Sequence, residues 1–389
     1  MDSARKTIML AFEYQENWIG GTYYILNIIR SLNLIDDPRK PKLTILHRPG
    51  ASTNDIEKIA YPHLTFYPFD TRLPVWKKAV NRVSRAVMGR ILFKVRLPLP
   101  FVENFYPASQ ELDKANIKNY YIWIPDFQER YMPEHFSRRE IAWRKSTLRG
   151  IVKDIAPVVF SSHNALADFD RFYPENRNPK AVLPFVSVID YSFEKLDGPE
   201  LLRKYRIEKP YFIVTNQFWK HKDHLTVIEA FERLSREFPN ILLVLTGKEH
   251  DHRHPEYAAE LRRHVRERKM EQSILFLGFI DRNDQLKLMK ESLAIIQPSL
   301  FEGWSTVVED AKALDKFIIL SAIPLHREQI SENCFFFAPK DVEELTVQMR
   351  RFLQLPTPQI TNHYSNAVQE FGIRFMRLFD EQNSPRFHF

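Results

Sequence analysis

The apolar positions in the second half of the chain alternate between two spacings. YFIVTNQ (211–217) is a short β-rich run, and DHLTVIEAFERLSREF (223–238) follows with helical spacing at Leu225, Ile228, Ala230, Phe231 and Leu234. NILLVLTG (240–247) reads as a buried parallel strand, EYAAELRRHVRERK (256–269) as a helix, SILFLGF (273–279) as a strand and NDQLKLMKES (283–292) as a helix. LAIIQPS, a helix beginning near Ser305, KFIILSAI and CFFFAP complete the series. The first half follows the same logic with insertions. Strands are expected at TIMLAFEY, KLTILHR, NYYIWIPD, APVVFSS and KAVLPFV, and helices at GTYYILNIIRSLN, Glu140 to Lys153 and Asn164 to Phe172. Strands alternating with helices over short connectors predict α/β architecture: two Rossmann-like, doubly wound domains facing across a cleft, with ligands beyond the carboxyl ends of the strands. The expected divisions are 1–189, 190–355 and 356–389, the last a helical segment.

Length agrees with two domains, since 389 residues exceed what one core usually organises. A single cysteine, Cys334, offers no disulfide framework and no thiolate metal site. The first residues read as a strand and not a leader, because Glu13 and Glu16 interrupt the apolar run, and no stretch approaches the ~20 apolar residues of a membrane span. A cytoplasmic protein is expected, with peripheral attachment to the inner membrane face left open. The net charge of +7 favours anionic partners without choosing among them, and no zinc-finger or RNA-binding signature points to nucleic acid.

Three strand-to-helix junctions carry candidate chemistry. In IIQPSLFEGWSTVVEDAKAL, Glu302, Gly303 and Trp304 occupy the turn before a helix that Ser305 or Thr306 would cap, so backbone N–H groups there can accept phosphate oxygens. Glu309, one helical turn on, can accept hydrogen bonds from ribose hydroxyls and Glu302 from those of a sugar; otherwise the first is a turn residue and the second a solvated helix residue. In VTNQFWKHKDHL, the cations at Lys220 and Lys222 precede a helix and can neutralise a diphosphate, unless the loop is simply basic and solvated. Gly20 and Gly21 join the first strand to the first helix and permit close approach of backbone to a ligand, or merely turn the chain.

Taken together and in this order, NQFWKHKDH, LTGKE, LGFIDRNDQL and PSLFEGWSTVVEDAKAL resemble the GT-B glycosyltransferases, specifically the retaining nucleotide-sugar transferases of family 4. The resemblance covers most of the chain and is best defined over 211–337; it implies that 1–189 is the acceptor-side domain and 190–355 the donor-binding domain, with 356–389 returning to the first. It implies that Lys222 contacts the donor diphosphate, Glu302 the donor sugar and Glu309 the ribose, with Gly278, Phe279 and Ile280 beside the base. It implies transfer with retention, a nucleotide-sugar donor as co-substrate, a glycan or lipid-linked saccharide acceptor, and neither a cofactor nor a metal. Three departures stand out. Six residues separate Glu302 from Glu309 where the family often has seven; Gln217 stands where an arginine usually precedes the phosphate lysine, with Lys220 as the substitute; and Pro125 with Asp126 replaces a histidine–aspartate pair. Glu302, Lys222 and Asp126 form the expected catalytic set.

His250, His252 and His254 alternate in a loop, a pattern that in extended backbone can face one metal but is more usually solvated. From Pro74 onward, Lys77, Lys78, Arg82, Arg85, Arg90 and Lys94 accompany Trp76, Val80, Val83, Val87 and Ile91 at helical spacing. The expectation is a helix packed on its own domain through that apolar face with the basic face wet; contact with an anionic membrane or an acidic acceptor is the other reading. Competing functions are a nucleotide-sugar epimerase or hydrolase on the same fold, and a non-catalytic carbohydrate-binding relative. A dehydrogenase is disfavoured because no G-x-G-x-x-G follows the first strand.

Overall fold

A computed structural model describes residues 5–13, 19–88, 91–355, 360 and 364–380; Arg90, the side chain of Val87 and all residues from 381 onward lie outside the described residues. The chain divides into two compact units, Met1–Val188 with Ser365–Phe389, and Ile189–Tyr364.

The first unit holds a parallel sheet of β1 (Thr7–Phe12), β2 (Lys42–His47), β3 (Leu64–Pro68), β4 (Val102–Tyr106) and β5 (Ile117–Tyr120) in the order β3-β2-β1-β4-β5. A second parallel sheet contains β6 (Ile122–Ile124), β7 (Val158–Phe160) and β8 (Lys180–Val182). Its helices are α1 (Ile19–Asn33), α2 (Asn54–Glu57), α3 (Val75–Met88), α4 (Gln128–Tyr131), α5 (Arg138–Lys153) and α6 (His163–Phe172). Expectation and structure differ at three places here. NYYIWIPD is not one strand: residues up to Tyr120 pair with β4, those from Ile122 with β7, and only Tyr121 stands between, its N–H bonded to Phe105 O and its carbonyl accepting from Ala108 N. An apolar run encodes burial but not the partner strand. KAVLPFV ends as a strand at Val182, two residues before Pro184, which has no N–H for a ladder. Gly20 and Gly21 are not in a turn but in the first turn of α1.

The second unit is a parallel sheet of six strands, β9 (Tyr211–Val214), β10 (Leu242–Thr246), β11 (Ile274–Gly278), β12 (Ile295–Gln297), β13 (Ile318–Ser321) and β14 (Cys334–Phe337). Its helices are α7 (Gly198–Lys204), α8 (His224–Ser235), α9 (Tyr257–Glu267), α10 (Arg282–Glu291), α11 (Thr306–Ala313), α12 (Pro324–Gln329) and α13 (Val342–Gln354). The strand order β11-β10-β9-β12-β13-β14 runs outward in both directions from the β9/β12 pair, so connections leave that pair to opposite sides. This is the doubly wound Rossmann arrangement, with its switch point between β9 and β12. Alternation along each strand builds two cores. Phe212, Val214, Leu243, Leu245 and Ile296 pack under α8, α9 and α13, whereas Tyr211, Ile213, Leu242, Val244 and Ile295 pack under α7, α10 and α11. On α8 the inward stripe is Val227, Ile228, Phe231 and Leu234; Leu225, read as part of it, is 37% exposed, since two residues of helical rotation carry it away from Val227.

The last helix, α14 (Tyr364–Arg377), packs in the first unit over most of its length: Phe375 meets Tyr106 edge-on, and the Tyr121 hydroxyl donates to Leu378 O at 2.7 Å. Gly372 lets it approach α1, since a Cβ there would lie 3.0 Å from Ser31 O.

A tighter constraint sits beside the switch point. A Cβ at Gly247 would lie 2.0 Å from Asn216 O, so the ends of β9 and β10 can approach only with glycine there. Gly247→Ala is expected to lower stability by roughly 3 kcal/mol, read as a shift of the urea midpoint followed by circular dichroism. Gly278→Ala meets nothing closer than 3.7 Å and carries only the strain of φ +67°, about 1–2 kcal/mol; equal shifts for the two variants would refute the clash.

Candidate active site

The loops leaving β9 and β12 meet beyond the switch point. The first carries Asn216 and Gln217 and then a one-turn helix, Lys220–Lys222; the second carries Ser299, Glu302 and the start of α11. Lys222 Nζ donates to Glu302 Oε1 at 2.6 Å, and both side chains are largely buried. The same oxygen accepts Gln297 Nε2 at 2.7 Å, while Glu302 Oε2 has no hydrogen-bond partner among the described residues. Gln297, at the end of β12, is fully buried. Its NH2 group also reaches Ser299 Oγ at 3.1 Å and Ser305 Oγ at 3.0 Å, and its Oε1 accepts Asn216 Nδ2 at 2.6 Å. The two strand ends are therefore joined through side chains, and this chain of bonds orients the carboxylate toward the lysine.

Ser305 occupies the N-cap position of α11, but its hydroxyl does not cap the helix as expected. The hydroxyl is drawn to Gln297, and the Ser305 N–H goes to Gln329 Oε1 at 3.2 Å. The N–H groups of Thr306 and Val307 remain without acceptors inside the helix, at the positive end of its dipole. Glu309 is 1% exposed, not a solvated helix residue. Its Oε1 accepts from Lys312 Nζ at 2.8 Å and Gln329 Nε2 at 2.9 Å, and its Oε2 from the Tyr364 hydroxyl at 2.5 Å. Gly278 closes β11 with its carbonyl accepting from Gly247 N and Thr246 Oγ1, Ile280 is half-buried, and the ring of Phe279 is 72% exposed. Lys220 is exposed, with Asp251 receiving its backbone N–H, and Gln217 and Trp304 are half-buried. Among the described residues no three His, Cys, Asp or Glu side chains converge as a metal set.

Two histidines sit in this region without charge. His326 is fully buried; Nδ1–H donates to Ser321 O at 2.8 Å, and burial drives its pKa down to about 4. His224 stacks on Phe218 at 4.4 Å and is held by burial at about 3.

The remaining expected residues lie in the first unit. Asp126 follows β6, and its Oδ1 accepts Gln128 N at 3.0 Å at the start of α4. Gly21 lines a pocket of about 270 Å³ at the carboxyl ends of β1, β2 and β3, with Trp123, Phe105 and Phe69 forming apolar wall and His47, Arg48 and Arg72 polar rim. Trp123 is fixed by stacking on Tyr24 at 4.1 Å and by donating to Ser161 Oγ at 2.9 Å. Arg72 is held by both oxygens of Asp70, with its Nη2 at 2.6 Å.

Gln297, Asn216, Gln329, Lys312 and Tyr364 were not foreseen. The first two carried a readable signal, a polar amide ending an otherwise apolar strand; Gln329 and Tyr364 reach Glu309 from distant segments and carried none.

Asp223, next to Lys222, has left-handed backbone (φ 51°) and accepts the Thr226 hydroxyl at 2.7 Å. Burial pushes its carboxyl up to about 6. A carboxyl whose folded pKa lies above its unfolded value binds protons more tightly when folded, so stability falls as pH rises through that window. Between about pH 4 and pH 6 the wild type should therefore lose on the order of 2–3 kcal/mol relative to Asp223→Asn, which tolerates the same backbone and keeps an acceptor for Thr226. Urea titrations of both proteins across that range measure the difference; parallel curves would remove Asp223 as the cause.

The family of glycosyl transferases group 1 matches residues 199–370. The O-antigen chain mannosyltransferase of Salmonella typhimurium is 22% identical over 261 residues, 67% of this chain and 68% of that protein. Among solved structures, a glycosyltransferase from Rickettsia africae superposes with a TM-score of 0.63 at 14% identity, covering 98% of this chain and 97% of its own. Anabaena HepE in complex with UDP gives 0.61 at 14% identity, covering 96% of each. Sucrose-phosphate synthase from Thermosynechococcus elongatus gives 0.60 at 14%, covering 97% and 96%. These likenesses share the GT-B fold, and over residues 199–370 the chain is similar to the glycosyl transferases group 1.

Proposed function

We propose that the chain moves a sugar from a nucleotide-diphosphate donor to a glycan or lipid-linked saccharide, with retention of anomeric configuration and without a metal, as family 4 enzymes do. The buried Lys222–Glu302 pair at the switch point carries this reading, because it sets a cation and a carboxylate side by side where a doubly wound sheet binds its ligand. Lys222 and the first-turn N–H groups of α11 stabilise charge gathering on the departing diphosphate, the role a divalent cation otherwise takes. Oε2 of Glu302 accepts a hydroxyl of the donor sugar. Oε1 of Glu309 already accepts two hydrogen bonds and Oε2 one, so Oε2 retains a lone pair for the ribose, and the exposed ring of Phe279, between Gly278 and Ile280, lies against the base. Lys220, exposed beside Lys222, adds to the field, and Gln217 borders the same loop. The acceptor hydroxyl attacks from the face the diphosphate leaves, passing its proton to a phosphate oxygen, so Glu302 positions the sugar and forms no bond to it. Asp126 and the Trp123 pocket of the first unit receive the acceptor, with Gly21 in the pocket's lining and Gly20 before it in the chain. UDP is the leading donor nucleotide on the strength of the UDP complex of Anabaena HepE. The mannosyltransferase of O-antigen chains suggests a surface-polysaccharide setting.

Calorimetry with UDP, GDP, ADP and TDP tests the donor site directly. One diphosphate should bind selectively. Lys222→Met should weaken it by roughly 10- to 100-fold, the loss of one charge-assisted contact, and Glu309→Gln by about tenfold. Activity should survive chelation of divalent ions, and proton NMR of early product should show the donor's anomeric configuration. Wild-type protein that binds none of the four, or a Lys222→Met protein that binds as tightly, would overturn the assignment; hydrolysis of donor without acceptor transfer would move it to a hydrolase.

A further inference from the structure

Helix α3 is amphipathic, but the structure turns it the opposite way from the expected packing. Its inward face is Asn81 and Ser84, both buried, with Lys77 and Arg85 half-buried beside them. Its outward face is Trp76, Val80 and Val83, spaced i, i+4, i+7, at 58%, 38% and 62% exposure. Asn81 fixes this orientation: its Nδ2 donates to Phe93 O at 2.8 Å, and its Oδ1 accepts the N–H groups of Leu92 and Phe93. Arg85 ties the helix to α5 through Thr147 Oγ1 at 3.0 Å. One turn before Thr147, on the same face of α5, Trp143 is 59% exposed.

Charge is concentrated on the same segment. Residues 71–102 contain eight Lys or Arg and no Asp or Glu, +8 against the +7 of the whole chain, so the rest of the chain sums to −1. Lys78, Arg82, Lys94 and Arg96 are exposed, and Lys77 lies over the Trp76 ring at 5.3 Å. An outward apolar stripe ending in a tryptophan, with exposed Lys78, Arg82, Lys94 and Arg96 on the same segment, matches one kind of surface: an apolar boundary beneath a layer of negative charge. A protein partner would have to supply an acidic rim around an apolar groove; a second copy of this chain would bring +8 against +8.

We propose that α3 and the basic segment after it seat this protein on an anionic lipid bilayer, with Trp76, Val80 and Val83 entering the headgroup boundary and Lys78, Arg82, Lys94 and Arg96 pairing with lipid phosphates. This deepens the lipid-linked side of the acceptor reading, yet it is measured without donor or acceptor, so the two stand or fall separately. No helix among the described residues is long and apolar enough to cross a membrane, so attachment by this route is interfacial.

Sedimentation with vesicles of phosphatidylcholine, and of phosphatidylcholine with an equal part of phosphatidylglycerol, tests it. Wild-type protein should bind the anionic vesicles at least about tenfold more tightly than the neutral ones, with a blue shift of tryptophan emission and weakening by salt. Lys78→Ala with Arg82→Ala should reduce binding roughly fivefold per charge. Trp76→Ser, Val80→Ser and Val83→Ser together should abolish the emission shift and reduce binding at least about tenfold, while leaving the circular dichroism spectrum and nucleotide calorimetry unchanged. A wild type that stays in the supernatant with anionic vesicles overturns the proposal. So does a triple variant that binds them as tightly, or a lipid-free dimer seen by ultracentrifugation that the triple variant dissolves.

Discussion

Gln297 is a fully buried amide at the end of a central strand, and a buried amide must find partners for all its polar atoms. The surroundings of the switch point follow from that requirement. Asn216 satisfies its oxygen from the neighbouring strand, Ser299 and Ser305 share its hydrogens, and Glu302 takes the remaining bond. Glu302, thus held, is a carboxylate largely removed from water and needs a cation; Lys222 meets it from the other side of the switch point. Removing either charge would leave the other buried and uncompensated, about 3–5 kcal/mol. The residues assigned to the donor are therefore also those that hold two loops in register, and any loss of function on substituting them has to be weighed against a change in fold.

The doubly wound topology explains why this network is here and not elsewhere. The helices that follow β9 and β10, α8 and α9, share one side of the sheet, whereas α11, which follows β12, lies on the other. Between β9 and β12 the connections part, and the opening is lined by a one-turn helix bearing lysines on one side and by the amino end of α11 on the other. His326 is kept neutral by burial, so the positive field at the opening comes from Lys222 and the helix dipole and not from a titrating imidazole. The left-handed backbone of Asp223 ends the one-turn helix so abruptly that α8 starts at the next residue, which is what points Lys222 at Glu302.

The fold of the second unit was legible because its strands are buried on both faces and read as unbroken apolar runs, with turns between them. The first unit was less so. The run from Ile117 to Ile124 serves two sheets, β3 and β4 lay in stretches whose spacing announced nothing, and hydrophobicity says which residues are covered but not by which strand. At the site, Lys222, Glu302 and Glu309 could be named from their place at strand ends, and two of the three came together in one ion pair. Gln329 and Tyr364, which bind Glu309, could not, since nothing local marks a residue that matters only through a contact 20 and 55 positions away.

Helix α3 is where pattern and structure part most sharply, and the direction of the disagreement is informative. Burying a valine side chain stabilises a fold by roughly 1.5–3 kcal/mol, so a helix free to choose would turn Trp76, Val80 and Val83 inward. A rotation of about 100°, one residue's worth, separates that face from the one now buried. The three bonds of Asn81 and the link from Arg85 to Thr147 hold the helix against that rotation. A sequence shaped by apolar burial alone would turn the valines inward and give up the Asn81 bonds. An apolar stripe fixed outward by polar bonds, amid eight cations and no acid, is instead arranged for a surface outside the chain, and the bonds of Asn81 are what prevent folding from consuming it.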